Sequence, residues 1–247
     1  MSKALNLSSF SALTFDMYGT LIDWEPHILS FLQAWARRNS VHATDAELLE
    51  QFDRARAHYQ QLRPALLYPD VLRACYAYIC THWRAPIDPI EQEAFAASVS
   101  TWDPFPNAAE GLSYLKQFYT MGTLSNIDER SLAHSIAKLG ITFDIVVTAE
   151  RVGAYKPALA HFVTAISELG GMGVGLANLL HIGQSLRADI RPCNKLGIKT
   201  VWLNRDRRFL GLNGRAAKLA VPDLKFTTLE ELVITHAREL ETFSLAS

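Results

Sequence analysis

Three observations predict an α/β fold in which a doubly wound parallel sheet carries an inserted helical segment. From Trp102 onward, short apolar runs of strand length alternate with runs of helical periodicity; the block from about Trp24 to Val99 reads almost wholly as helix; and four apolar runs end on polar residues. Strands alternating with helices imply βαβ units and hence a parallel sheet. Ligands of such sheets bind beyond the carboxyl ends of the strands, so the polar run ends are where function is expected.

In chain order, Leu13, Phe15 and Met17 alternate with Thr14 and Asp16 before Tyr18-Gly19-Thr20 turns the chain, which reads as a short strand ending in a Gly-assisted loop. Ile28, Leu29, Leu32 and Trp35 then recur at helical spacing, closed by Arg37-Arg38, cations suited to a helix C-terminus. Thr44-Asp45-Ala46-Glu47 is a capping box ahead of Leu48, Leu49 and Phe52. A third helix starts near Pro69-Asp70 with Val71, Leu72, Cys75, Ile79 and Trp83, and Pro86 and Pro89 precede a short helix around Glu91 to Val99. Asn107 is placed to cap a helix reaching about Phe118; strand Met121 to Leu124 ends at Ser125-Asn126; a helix from about Asp128 to Leu139 closes on Gly140. Strand 143–147, helix 158–169, strand 179–182, helix 186–196 and strand 200–203 follow, and Thr228-Leu229-Glu230-Glu231 is a second capping box opening a last helix. The expected division is a Rossmann-like catalytic core of residues 1–22 and 102–247 and a helical cap domain of residues 23–101, the cap lying over the sheet's carboxyl edge.

Composition narrows the partners. With 24 basic and 25 acidic residues the formal charge is −1, so no global field favours nucleic acid or an anionic membrane, and a small molecule is the expected partner. Met1 to Phe10 is polar, with Lys3 its only charge, unlike a signal peptide, and no apolar run approaches the roughly 18–20 residues that span a bilayer. Cys75, Cys80 and Cys193 show no CxxC spacing and fit reduced, buried thiols in a cytoplasmic protein. Gly170 to Gly175 falls between a helix and a strand, the wrong place for a phosphate cradle. The histidines lack metal-ligand spacing, and His181 sits inside a strand as a core residue. The aromatic residues Trp35, Tyr59, Tyr76 and Trp83 read as bundle core, and a homodimer through the cap or the core face is compatible with the sequence.

Parallel strands would gather Asp16, Ser125-Asn126, Lys156 and the segment Gln184 to Asp189 into one crevice. Lys156, in Ala154-Tyr155-Lys156-Pro157, can hold Asp16 ionised in a half-buried site, although alone it reads as a surface lysine. Ser125 and Asn126 offer donors to an anion or leaving group, or cap the helix before Ile127-Asp128. Thr20 bonds Asp16 or caps the next turn; Asp16 alternatively closes an Asx-type turn, and Asp189 pairs near its helix as a structural carboxylate.

These motifs, with the helical block between the first and the rest, resemble the haloacid dehalogenase superfamily over the whole chain. There the leading Asp of the first motif is the nucleophile, the role the resemblance implies for Asp16. Most members are phosphatases with a second Asp two residues on as general acid; Tyr18 stands at that place and resembles the hydrolytic L-2-haloacid dehalogenases instead. His181-Ile182-Gly183-Gln184-Ser185-Leu186-Arg187-Ala188-Asp189 is similar to the phosphatase pattern Gly-Asp followed by a later Asp, but Gln184 replaces the first Asp. An amide brings no charge to magnesium, so no metal or other cofactor is expected.

The resemblance implies that Asp16 displaces halide from a small 2-haloacid and that water then hydrolyses the ester to a 2-hydroxy acid. Asp189 would orient or deprotonate that water, Ser125, Thr20 and backbone N–H groups would take the substrate carboxylate, and Asn126 and Lys156 would assist with halide or charge balance. Tyr18, Ser125, Asn126, Arg54 and Arg56 are the candidate substrate-binding residues. The two arginines enter because those dehalogenases receive halide on a cap arginine; Arg63 and Arg73 stand behind them. The chain departs from that branch at Leu186, where its members carry Asn, and at Phe162, where they carry Tyr. Two other readings stay open: a phosphatase-like hydrolase adapted to Tyr18 and Gln184, and a catalytically weak member that binds a small carboxylate or a partner protein.

Overall fold

The structure, a computed structural model, describes residues 5–63, 65–205 and 220–246. Its main sheet has six parallel strands in the order β5-β4-β1-β6-β7-β8, formed by β1 (Ala12–Phe15), β4 (Thr120–Ser125), β5 (Ile145–Thr148), β6 (Leu179–Gly183), β7 (Lys199–Leu203) and β8 (Leu224–Phe226). The chain runs outward from β1 through β4 to β5 and then returns to the other side of β1 as β6. The strand order therefore reverses between β1 and β6, and a crevice opens there at their carboxyl ends.

The expected apolar alternation in β1 gives way to burial of all its residues, because helices cover both faces of the sheet. Leu13 and Phe15 belong to one buried cluster with Leu112 of α5 (Ala108–Leu115) and Leu229 of α10 (Leu229–Ala246), while Ala12 belongs to a second with Phe162, Ala165 and Leu169 of α8 (Ala160–Gly171), the helix that follows the short α7 (Ala149–Val152). The strand ends at Phe15, although Asp16 N still donates to Ile182 O at 2.9 Å and is held at the strand tip.

Between the short antiparallel strands β2 (Ile22–Asp23) and β3 (Asp103–Pro104), which the periodicity does not reveal, the chain forms α1 (Glu25–Arg38), α2 (Asp45–Tyr59), α3 (Tyr68–His82) and α4 (Pro89–Ala97). The Thr44 capping box opens α2 with both reciprocal bonds in place. Trp35, Phe52, Leu72 and Phe95 are fully buried between these helices. All three cysteines are free and buried.

Several boundaries move for identifiable reasons. Asn107 adopts a left-handed conformation, and its side chain reaches Glu230 rather than capping α5, which ends at Leu115. Thr228 does cap Glu231 N, but the Glu231 carboxylate turns back to Thr227, so the second capping box is closed one residue early. Asp128, not Ser125 or Asn126, caps α6 (Glu129–Leu139), its Oδ1 accepting from Ser131 N at 2.8 Å; Gly140 then closes the helix at φ +66°. The helix expected over 186–196 is a π-helical turn, Leu186–Ile190, followed by α9 (Arg191–Leu196). Pro192 lacks the N–H that a regular α-helix needs there, and the wider turn ahead of it brings Asp189 beneath the end of β6. No helix among the described residues is long and apolar enough to cross a membrane.

Candidate active site

Asp16 is 7% exposed, and its two carboxylate oxygens have separate partners: Oδ1 accepts from Lys156 Nζ at 2.8 Å and Oδ2 from Thr20 Oγ1 at 2.7 Å. The loop that follows is shaped by Gly19, at φ +91°, where an added Cβ would also lie 2.9 Å from Gln184 Nε2. Thr20 Oγ1 additionally accepts from Gln184 N at 3.0 Å. One hydroxyl thus ties the β1 loop to the β6 loop across the crevice.

Lys156 is a buried centre rather than a surface residue, its side chain 1% exposed. Its ammonium donates to Asp16 Oδ1, to Asp189 Oδ1 at 2.6 Å and to Leu124 O at 2.7 Å, which occupies every proton it has. Asn126 clamps the backbone that carries it: Lys156 N donates to Asn126 Oδ1 at 2.6 Å, and Asn126 Nδ2 donates to Lys156 O at 3.2 Å. Asn126 positions the lysine, and one of its two amide N–H donors is left uncommitted at the cavity wall.

Asp189 is fully buried. Its Oδ2 accepts from Ser185 N at 3.1 Å, and His181 Nε2 lies 3.6 Å from Oδ1, with Thr14 Oγ1 2.9 Å from the other ring nitrogen. Gly183 leaves the space for this carboxylate, since a Cβ there would come within 2.6 Å of Asp189 Cγ. The two acids are electrostatically unequal. Burial, with repulsion from Asp189, raises Asp16 above its usual 3.8 against the pull of Lys156. Burial penalises Asp189 as well, but Lys156 and His181 overcome it and hold that carboxyl down to about 2. Lys156 is itself raised above 10.5, the two carboxylates outweighing its desolvation, and stays an ammonium.

These groups open onto a cavity of about 290 Å³ between the sheet's carboxyl edge and the inserted helices. Core residues Asp16, Tyr18, Asn126, Lys156, Gln184, Ser185, Arg187, Ala188 and Asp189 line one side, and Asp53, Arg56, Gln60 and Tyr68 line the other. Tyr18 supplies an aromatic wall: its ring stands edge-on to Trp102 and its hydroxyl is 2.8 Å from Ser135 Oγ. Burial pushes that phenol well above its usual range, which makes it a weak acid toward a leaving group near neutral pH.

Of the candidate cap arginines, the cavity receives Arg56 and not Arg54. Residues two apart on an α-helix are separated by about 200°, so one of them must face away. Arg54 is 60% exposed and pairs with Glu50, whereas Arg56 is 21% exposed, pairs with Asp53 and lies 4.9 Å from the Trp24 ring centroid. Arg73 is engaged by Asp70 and Glu93, and Arg63 donates to the Leu62 carbonyl at the helix end; neither lines the cavity. Ser125 also departs from its expected place: it is fully buried, its hydroxyl has no hydrogen-bond partner among the described residues, and it does not line the cavity. Phe162 and Leu186 are likewise outside the cavity, Phe162 packing edge-on against His181.

Arg187, Asp53, Gln60 and Tyr68 were not among the expected site residues. Arg187 alone had a usable signal, lying two residues before Asp189 in the last strand-end motif. The others depend on how α2 and α3 sit over the sheet.

The donor set suits magnesium poorly: Asp16 and Asp189 are already balanced by the Lys156 ammonium, Asp53 by Arg56, and Gln184 contributes only a neutral amide, so little uncompensated negative charge is left for a divalent ion.

In fold, the chain is similar to the L-2-haloacid dehalogenase of Xanthobacter autotrophicus, with a TM-score of 0.74 at 22% identity over 91% of this chain and 97% of that one. Another L-2-haloacid dehalogenase matches with a TM-score of 0.75 at 19% identity, over 93% and 99% of the two chains. A defluorinating L-2-haloacid dehalogenase matches with a TM-score of 0.75 at 18% identity, over 94% and 98%. No curated protein matches the chain by sequence. The sequence profile of the haloacid dehalogenase-like hydrolases matches residues 10–197, most of the chain and all three strand-end groups around Lys156, and the protein belongs to that family of hydrolases.

Proposed function

We propose that the protein is a metal-independent hydrolase of small 2-haloacids, with residues 23–101 acting as a cap domain over a catalytic core of residues 1–22 and 102–247. The observation that carries this reading is the buried Asp16–Lys156–Asp189 group beside a Tyr18 whose hydroxyl is already engaged by Ser135. That arrangement supplies a nucleophile and its counter-ion without the general acid that phosphate esters require. The dehalogenases of like fold favour the same chemistry.

In the first step an Asp16 carboxylate oxygen forms a bond to the α-carbon, the carbon–halogen bond breaks with its electron pair, and halide leaves. The product is an ester on Asp16. Lys156, protonated throughout, moderates the negative charge near the nucleophile before attack. Arg56, backed by the Trp24 face and only partly neutralised by Asp53, offers a cation to the departing halide. Water then attacks the ester carbonyl carbon of Asp16, the alcohol oxygen of the 2-hydroxy acid leaves, and one proton per turnover reaches solvent. Held near pKa 2, Asp189 is a weak base and serves chiefly to orient that water.

Halide release is the direct test, measured with excess chelator from both enantiomers of 2-chloropropionate and from chloro-, bromo- and fluoroacetate. Release of halide unaffected by chelator is the expected result. The reading is overturned if none of these acids loses halide while an aryl phosphate is hydrolysed with magnesium.

The pH profile has an expected sign. The nucleophile works ionised, and Asp16 titrates above 3.8, so kcat/KM falls in acid at a pH above the ordinary aspartate range. Lys156 titrates above 10.5 and gives no alkaline limb below that pH. A single acid limb at or below pH 3.8, measured with buffers of constant ionic strength, would contradict the assignment of Asp16 as the titrating group.

A further inference from the structure

We propose that Arg187 is the receptor for the substrate's carboxylate, forming with Arg56 a two-cation anion subsite where the core meets the inserted helices; the inference rests on the proposed function for the identity of that acid as a 2-haloacid. The two side chains first expected to hold the carboxylate, Ser125 and Thr20, are unavailable. Ser125 does not line the cavity, and the Thr20 hydroxyl is spent between Asp16 and Gln184 N.

Among the cavity's cations, Lys156 has no proton left to donate and Arg56 is paired with Asp53. Arg187 has no hydrogen bond or ion pair to another described residue, although it is half-buried in the cavity wall. Its guanidinium is disfavoured there by desolvation and then by the nearby Arg56 charge, with Asp53 and Asp189 compensating only in part. A half-buried cation beside a like charge is stabilised by an arriving anion. The planar guanidinium matches a carboxylate through two parallel hydrogen bonds, a fit that a halide cannot use.

The division of labour follows from the two arginines' surroundings. Attack on a 2-haloacid places two anions in the cavity, the fixed carboxylate and the departing halide. Arg187, with its donors unspent, suits the directional carboxylate; Arg56, already bound to Asp53 and stacked near Trp24, suits the spherical halide. Arg187 leaves the same π-helical turn as Asp189, so an acid held on it stays in the cavity to which Asp16 is open.

The test uses the unreactive carboxylates lactate and propionate, titrated calorimetrically into the full chain, so that binding is read apart from turnover. Both are expected to bind the parent and Asp16→Asn, and Arg187→Met to weaken them at least about tenfold, the loss of a charge-assisted hydrogen bond. Arg187→Lys should recover part of the affinity, and KM for 2-chloropropionate should rise in Arg187→Met far more than kcat falls. Melting curves of both variants establish that they are folded. Unchanged lactate and propionate binding in folded Arg187→Met, or in folded Arg187→Gln should Met not fold, overturns the subsite, as does a parent that binds neither acid. Carboxylate binding that depends on Arg187 in a parent releasing no halide would retain the subsite and remove the dehalogenase reading.

Discussion

Replacing Asp16 with Asn is expected to reduce halide release by about three orders of magnitude or more, the scale seen when an enzyme loses its nucleophile. The amide keeps the size of the side chain but cannot form the ester by displacement. Stability should move the other way or not at all. Ionised Asp16 is buried beside Asp189 and its pKa is raised, so the folded state prefers the neutral form, and the contribution of this group to stability declines as pH rises through that raised value. Asn presents a neutral side chain at every pH. Lys156 meanwhile retains Asp189 and the Leu124 carbonyl. Thermal melts at pH 7.5 should therefore give Asp16→Asn a Tm equal to or above that of the parent, together with lost turnover. Turnover equal to the parent's would remove Asp16 from the mechanism.

Lys156→Met is expected to lose both activity and stability, because it leaves two carboxylates buried around an apolar side chain. Breaking a buried pair in this way costs about 3 kcal/mol or more. The pH dependence identifies the cause. Without the ammonium both carboxyl pKa values rise, so the variant loses stability as pH rises through those values and recovers some as pH falls and one acid takes up a proton. In the parent, the Lys156 contribution is present below 10.5 and is lost as pH rises through its raised folded value, while that of Asp189 is present above 3.8 and is lost as pH falls toward about 2. Denaturant unfolding at pH 5 and pH 8 should thus show a larger gap between parent and variant at pH 8. An equal gap at both would point to lost packing rather than lost charge.

Much of this site was legible because its parts lie at strand ends. Asp16, Lys156 and Asp189 are each charged residues in the segment that follows an apolar run, and a parallel sheet brings such segments to one edge whatever the details of packing. Helix limits marked by local chemistry were legible for the same kind of reason: Thr44 and Gly140 bond or bend the chain within a few residues of themselves. The three-residue strand β8 was not legible, since only Phe226 in it is buried and its pairing with β7 is long-range. Nor was the division between Arg54 and Arg56. Both carry the same charge on one helix, and the phase of that helix over the sheet is set by packing of Leu49, Phe52 and Ala55.

Ser125 and Asn126 show the limit most clearly. Both were expected to meet the substrate as donors after β4, yet Ser125 turns into the protein, and Asn126, although it lines the cavity, gives its carbonyl and one amide N–H to the Lys156 backbone. Arg187 lies within a motif whose ends drew attention to themselves, and the role proposed for it rests on its having no hydrogen bond or ion pair to another described residue, which sequence cannot show.

By itself the sequence determined the α/β class, the alternation of the longer strands and helices, the insertion of a helical block after β1 and the convergence of Asp16, Lys156 and Asp189, because periodicity, capping and strand-end placement are local or follow from the handedness of βαβ units. Only the tertiary structure decided which donors are spent, which arginine faces the cavity and which cation is left for an anion. Those outcomes depend on distances between residues as far apart in the chain as Asp16 and Lys156, and donors saturate: each proton committed to one acceptor is lost to the next.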